Sequence, residues 1–205
     1  PGVKALEFLA DIVNKDQIAM LAPQGPTYWA AINAGDTVGE IGAPWAQGNL
    51  FQNSKEKTAG KWTVQPFYEW EGKGPRTSSR GGTGTAIIES SKNREVAAQF
   101  LRWMYTTDVI MYDYVLRKII PTYKPMWNDA RLNTPDPFFN NVVVGKIVQE
   151  AAAKMEPFYN SPWLREISDA INRGITPVMQ GKTPAKQALD EIKAELDRLI
   201  AQQKR

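Results

Sequence analysis

Residues 81–105 read GGTGTAIIESSKNREVAAQFLRWMY, and the order of features in this stretch decides how the chain is built. Gly81, Gly82 and Gly84 make a glycine-rich turn. A short apolar strand is expected from Thr85 to Ile88, and a polar turn follows it. Asn93 is placed as the N-cap of a helix, with Val96, Ala97, Phe100, Leu101 and Met104 falling on one face. A dinucleotide-binding fingerprint carries its glycines after a strand and at the start of a helix. Here they precede the strand, which argues against a phosphate-cradling loop.

The residues around this stretch read as more helix than strand. A first helix is expected over about Pro1 to Asn14, with Val3, Leu6, Leu9, Ala10 and Val13 inward. A second carries Tyr28, Trp29 and Ile32 and stops near Gly35. Thr37 to Ala43 reads as a strand running into Pro44-Trp45. A lysine-rich loop with Lys55, Lys57 and Lys61 comes next, then a strand from Trp62 to Phe67. Glu69 to Gly82 is the longest loop, and loops of that length in compact domains are usually functional or mobile. Further on, helices are expected over Asp108–Lys118, ended before Pro121, and over Phe139–Lys154. Ser161-Pro162 and Thr183-Pro184 are cap-plus-first-turn pairs for two more. The first of these carries Trp163, Ile167, Ala170, Ile171 and Val178 on one stripe. The second turns Ala188, Leu189, Ile192, Leu196 and Leu199 inward. The fold class is α/β and helix-rich.

Composition narrows the chemistry. The 205 residues can bury a real core, and 42% hydrophobic with 23% charged is ordinary for a globular protein. A net charge of +3, from 25 basic and 22 acidic residues, forms no basic stripe, so nucleic acid is not the expected partner. The chain has neither cysteine nor histidine. Thiol nucleophiles, Ser-His-Asp triads and Cys/His zinc sites are thereby excluded, and no metal or cofactor is expected. No apolar run reaches the roughly 20 residues of a membrane span. A start at Pro1, with no leader before it, suggests a piece of a longer exported protein.

Aromatic residues remain as the binding candidates, with seven tryptophans and seven tyrosines. Trp45 follows Gly42-Ala43-Pro44, where it either stacks on the apolar face of a sugar ring or plugs the core. Trp163 is placed in the first turn of its helix, beside unsatisfied backbone N–H groups, yet its stripe also suits a core. Tyr159, just before that cap, shares the argument. Gly81-Gly82 would let a ligand approach the backbone or simply make a tight entry into a strand. Trp70 is either a contact on a mobile loop or an exposed ring. Trp29, Trp103 and Trp127 are assigned to packing, and Arg76 and Arg80 to solvent. The acidic pairs Glu166/Asp169 and Glu69/Glu71 are the only hint of a glycan-active enzyme, and nothing sets either pair across a scissile bond.

Three stretches resemble extracellular solute-binding proteins of sugar ABC transporters. They are Gly39-Glu-Ile-Gly-Ala-Pro-Trp45, then Gly60-Lys-Trp-Thr-Val-Gln-Pro-Phe67 followed by residues 80–88 and their helix, then residues 178–189 (VMQGKTPAKQAL). The resemblance implies a periplasmic-binding-protein-like fold, a type II clamp that closes about a hinge. This chain would supply its C-terminal half. Residues 1–75 and 124–205 would then form one lobe, and 76–123 would return to the other. The same resemblance implies a non-catalytic role and a periplasmic or extracellular location, soluble or lipid-anchored. It also implies a mono- or oligosaccharide ligand and the membrane subunits of an ABC permease as partners. It makes Trp45 and Trp163 the stacking residues and Gly81-Gly82 a wall of the cleft. A polyamine, a metal chelate or a phosphorylated compound stay open as ligands. Without the other lobe, self-association of this chain is expected.

Overall fold

The computed structural model describes residues 2–22, 25–70, 72, 77–78, 82–157, 159 and 161–203, the side chain of Gln203 excepted. Pro1, Glu71, Arg76, Arg80 and Gly81, all singled out in the sequence, lie outside these residues. The helices are α1 Gly2–Asn14, α2 Pro26–Ala34, α3 Pro44–Thr58, α4 Arg94–Thr106, α5 Val109–Arg117, α6 Ala130–Asn133, α7 Val144–Ala153, α8 Leu164–Met179 and α9 Ala185–Gln203. Short 3-10 turns, Lys124–Asn128 and Pro137–Phe139, fill the proline-punctuated connection between α5 and α7. The chain divides into two compact units, Pro1–Pro23 with Tyr159–Arg205, and Gln24–Phe158.

The first unit is built from α1, α8 and α9. Leu6, Val178, Met179, Ala185 and Ala188 are buried together, with Val3, Ala10, Val13, Ile175 and Leu189 packed against them. Leu9, expected inward, is exposed: it sits at the edge of the stripe that Leu6 and Ala10 occupy. A Cβ on Gly174 would lie 2.5 Å from Ile192 Cδ1, so the bare glycine lets α8 approach α9 closely. Arg173 and Glu195 pair across the same two helices at 2.5 Å. Helix α8 starts at Leu164 rather than at Pro162, and Pro177 is accommodated in its last turn.

The second unit has two apolar clusters. Ile32, Leu50, Phe138, Phe139 and Val144 form one, flanked by Tyr28, Trp29, Phe51, Trp62 and Val64. Met111, Tyr114 and Leu132 form the other, flanked by Ile110, Ile120, Met126 and Trp127. Helix α2 closes as expected: Gly35 adopts φ 87, and its neighbour Asp36 donates an N–H back to Ala31 O at 3.0 Å.

Several sequence expectations are corrected here. The stretch read as a lysine-rich loop is the second half of α3, with Lys55 and Lys57 in its last turn, where they favour the negative end of the helix dipole. Pro44 at the start of α3 supplies a φ suited to the first helical position. Gly48 is buried where the Arg117 carbonyl oxygen crosses α3, so close that a Cβ would overlap it. Among the described residues, Thr37–Ala43, Trp62–Phe67 and Thr85–Ile88 form no regular strand, though they are not helical either. A strand needs a partner for its N–H and C=O groups, and the bridge Asp136–Val142 is an isolated pair. The helix-rich part of the expected class stands, and the α/β character is not visible in these residues. Helix α7 begins at Val144, because Asn140 and Asn141 turn the chain through positive φ just before it. Asn93 does precede α4, but its side chain does not cap; its N–H is held instead by Ser91 Oγ at 3.2 Å.

Candidate functional site

Trp45 lies in the first turn of α3, not in a loop at a strand end. Its ring is 38% exposed while the next residues, Ala46, Gln47 and Gly48, are buried. The core reading of Trp45 therefore gives way to a surface position set by a buried helix. Gly42 is pressed against this turn: a Cβ on it would meet Ala46 Cβ at 2.6 Å and Glu40 Oε1 at 3.8 Å. Glu40 in turn stands against Tyr28. Partial burial, with the hydrogen bond and charge of Glu40 behind it, pushes the Tyr28 hydroxyl up to about 12. So a carboxylate and a phenol border the segment that delivers Trp45. Sequence reasoning did not single out this pair, although Glu40 sits inside the quoted Gly39–Trp45 stretch. Only folding brings Tyr28 to it.

Trp70 is also in the second unit, and its ring is about half exposed. Gly82 is open, with nothing within 4 Å of a Cβ built on it. The glycine pair that was to form a wall is described only at this one residue.

Trp163 and Tyr159 belong to the first unit. Trp163 is the residue before α8 rather than part of its first turn. Its N–H donates to Ser161 Oγ at 3.2 Å and that of Leu164 to Ser161 O at 3.0 Å. The N–H groups of Trp163 and Leu164 are thus already occupied. The ring itself is half-buried. Tyr159 is strongly exposed beside it in sequence. The same unit carries a shallow groove between α1 and the α8–α9 turn, lined by Glu7, Asp11, Asn14, Lys182 and Thr183 among others. It has no aromatic wall, so it does not offer the stacking surface that a sugar ring needs.

Of the tryptophans assigned to packing, Trp29 packs against the first cluster. Trp127 packs against the second and donates its indole N–H to Pro121 O at 2.8 Å. Trp103 belongs to neither cluster; it is 51% exposed on α4, beside the Phe100 ring at 5.8 Å. Glu166 and Asp169 both sit on α8, three residues apart and so about one turn from each other. Among the described residues, no group of three His, Cys, Asp or Glu side chains is placed to hold a metal ion.

Comparison with known families places the chain. The model of the bacterial extracellular solute-binding protein family matches residues 1–111, more than half of the sequence. The chain belongs to that family. It is similar to the arabinooligosaccharide-binding protein of Bacillus subtilis strain 168, 27% identical over 214 residues that cover 95% of this chain and 47% of the relative. It is also similar to the protein of the same description from Halalkalibacterium halodurans, 31% identical over 50% of this chain and 24% of the relative. A lactose-binding protein of Rhizobium radiobacter is 24% identical over 92% of this chain and 44% of the relative. The chain thus spans about half the length of the curated relatives it matches most fully. This family assignment bears out the resemblance read from the three motifs. The family and these relatives are binding proteins, not enzymes.

Proposed function

We propose that this chain is part of the carbohydrate-binding component of an ABC importer. It contributes to a clamp that takes up a mono- or oligosaccharide and passes it to a membrane permease without chemistry. The observation that carries this reading is Trp45, an indole held at the surface by the buried first turn of α3. A rigid aromatic face can cover the C–H face of a pyranose while nearby polar groups take its hydroxyls. Glu40 and Tyr28 supply such groups in the same unit. The printed descriptions of the relatives, an arabinooligosaccharide-binding and a lactose-binding protein, support a neutral sugar over a polyamine or a phosphorylated compound.

In this reading Trp45 stacks on the sugar with Trp70 as a further aromatic contact in the same unit, and Trp163 and Tyr159 are the aromatic contacts that the other unit offers. Gly81 and Gly82 leave the backbone open to close approach. The division into 1–75, 76–123 and 124–205, with the middle segment returning to the other lobe of a type II clamp, belongs to the same proposal. So does a periplasmic or extracellular place of work. The enzyme alternative would need two carboxylates across a scissile bond, and the family and the relatives described as binding proteins give it no support.

The test is intrinsic tryptophan fluorescence titrated with a panel of saccharides that includes arabinooligosaccharides and lactose. A saturable change that disappears in Trp45→Ala is the expected result. A response that persists unchanged in Trp45→Ala would move the site away from α3.

A further inference from the structure

Three restraints converge on the first turn of α3, the turn that carries Trp45. Gly48 lies directly beneath the Arg117 carbonyl oxygen, and Ala46 and Gln47 are buried beside it, so this side of α3 has no room to slide. Gly42 presses on the same turn from the preceding segment. A Cβ on it would meet Ala46 Cβ at 2.6 Å, and that methyl belongs to a buried helix and has no rotamer by which to yield. The same Cβ would stand 3.8 Å from Glu40 Oε1, so the Glu40 carboxylate is set beside the N-terminal end of α3. Unsatisfied N–H groups and the helix dipole favour a negative charge there. The N-cap, Ala43, has no side-chain acceptor of its own to offer.

On its other side Glu40 accepts a hydrogen bond from the Tyr28 hydroxyl of α2. Helix α2 is itself fixed to α3. Ile32 shares a buried cluster with Leu50, and Asn33 Nδ2 donates to Asn53 O at 3.1 Å. The segment Gly39–Ala43 is neither helix nor strand, so no regular backbone bonds set its path. It is held instead at Glu40 by α2 and at Gly42 by α3. Those two restraints decide the angle at which the chain enters α3.

We infer that Tyr28, Glu40 and Gly42 are positioning residues for Trp45: they fix the segment that leads into α3, and with it the direction in which the indole is offered to a ligand. The benefit to binding rests on the saccharide reading above, whereas the placement of the ring does not. A ring held in place before the ligand arrives has less freedom to lose on binding, so the restraints raise affinity without touching the sugar. The holding role is separable from direct contact, because Tyr28→Phe removes the hydrogen bond and leaves the carboxylate in the chain.

Acrylamide quenching of Trp45 in the absence of sugar tests the placement, read as the difference between each protein and its Trp45→Phe counterpart. Tyr28→Phe and Glu40→Ala should raise the Trp45 quenching constant about twofold, since a ring 38% exposed has that much further to open. Glu40→Gln keeps an acceptor for the phenol and should leave the quenching near the wild-type value. Gly42→Ala should loosen the ring as well; should it fail to fold, the Tyr28 and Glu40 variants decide alone. Calorimetric titration with arabinooligosaccharides and lactose tests the consequence. Tyr28→Phe should weaken binding about three- to tenfold, the worth of one hydrogen bond, and should cost nothing more once Trp45 is replaced by alanine. Trp45 quenching indifferent to Tyr28→Phe and to Glu40→Ala overturns the inference. So does an affinity loss that persists undiminished in the Trp45→Ala background, which would make the pair a direct sugar contact. A quenching change in a chain that binds none of these saccharides upholds the positioning and counts against the saccharide reading alone.

Discussion

Helices α4 and α9 are both amphipathic, yet they end in opposite environments. In α9, Ala185, Ala188 and Ile192 are buried against α1 and α8. In α4, the larger and more apolar Val96, Phe100 and Trp103 face water. The pattern of a helix thus states that one face needs cover, not that the same chain supplies it. For α9 the cover is two helices brought together from the ends of the chain. For α4 it is a single helix, α5, on a different side.

The sharpest way to break the comparison is to delete apolar atoms from both faces. Ile192→Ala removes a buried side chain that fills the space left by Gly174, and should cost about 2–5 kcal/mol in chemical denaturation. An effect below about 1 kcal/mol would mean that α9 is less well covered than its burial indicates.

An intermediate effect is expected where the α4–α5 pair is fastened to the rest of its unit. Arg131, in α6, binds both Asp108 at the head of α5 and Asp129, the latter at 2.6 Å. Its guanidinium hydrogen bond lowers the Asp129 carboxyl from 3.8 to about 2, so the folded state favours the charged form. The stability this group contributes is complete above its unfolded value and is lost as pH falls from about 4 toward 2. Denaturation curves between pH 2 and 5 should show that loss in the wild type and a shallower one in Asp129→Asn. Parallel curves would separate Arg131 from the acid transition.

The smallest effect belongs to the open face. Phe100→Ser should change the stability of the monomer by no more than about 0.5 kcal/mol, since the ring has little to lose on unfolding. A loss above about 1 kcal/mol in dilute protein would show that the stripe is covered within the chain after all.

These two helices also show which parts were legible in the sequence. Both were found from their apolar period, and the caps of α2 from Gly35. Helix α3 was missed because its buried side is made of Ala46, Gln47, Gly48, Ser54 and Thr58, with Leu50 the one large apolar residue there. No stripe is visible in such a set. Pro44 at its start and the lysines at its end were the available signals, and both were read as loop chemistry. The three expected strands show the opposite failure. Alternation was present, as in half-buried Trp62 and Val64 around exposed Thr63, but pairing depends on a neighbour that local sequence does not name. At the candidate site, Trp45 was identified by type and by the Gly-Ala-Pro before it. Its true setting on a helix, and the Tyr28–Glu40 pair near it, needed contacts between distant segments.

Lys118 ends α5 in a left-handed conformation, φ 59, and its ammonium reaches Asp136 at 2.8 Å. It also lies 4.9 Å from the centre of the Phe51 ring and 5.6 Å from that of Tyr114. Phe51 flanks one apolar cluster of its unit and Tyr114 belongs to the other, while Asp136 holds the N–H of Phe138 at 3.0 Å. One half-buried cation is therefore common to both clusters. Asp136 neutralises this cation, and a ring from each cluster borders it, so the two clusters share one ion pair at their margins. Helix α4 reaches this ion pair through α5, which carries Met111 and Tyr114 of the second cluster.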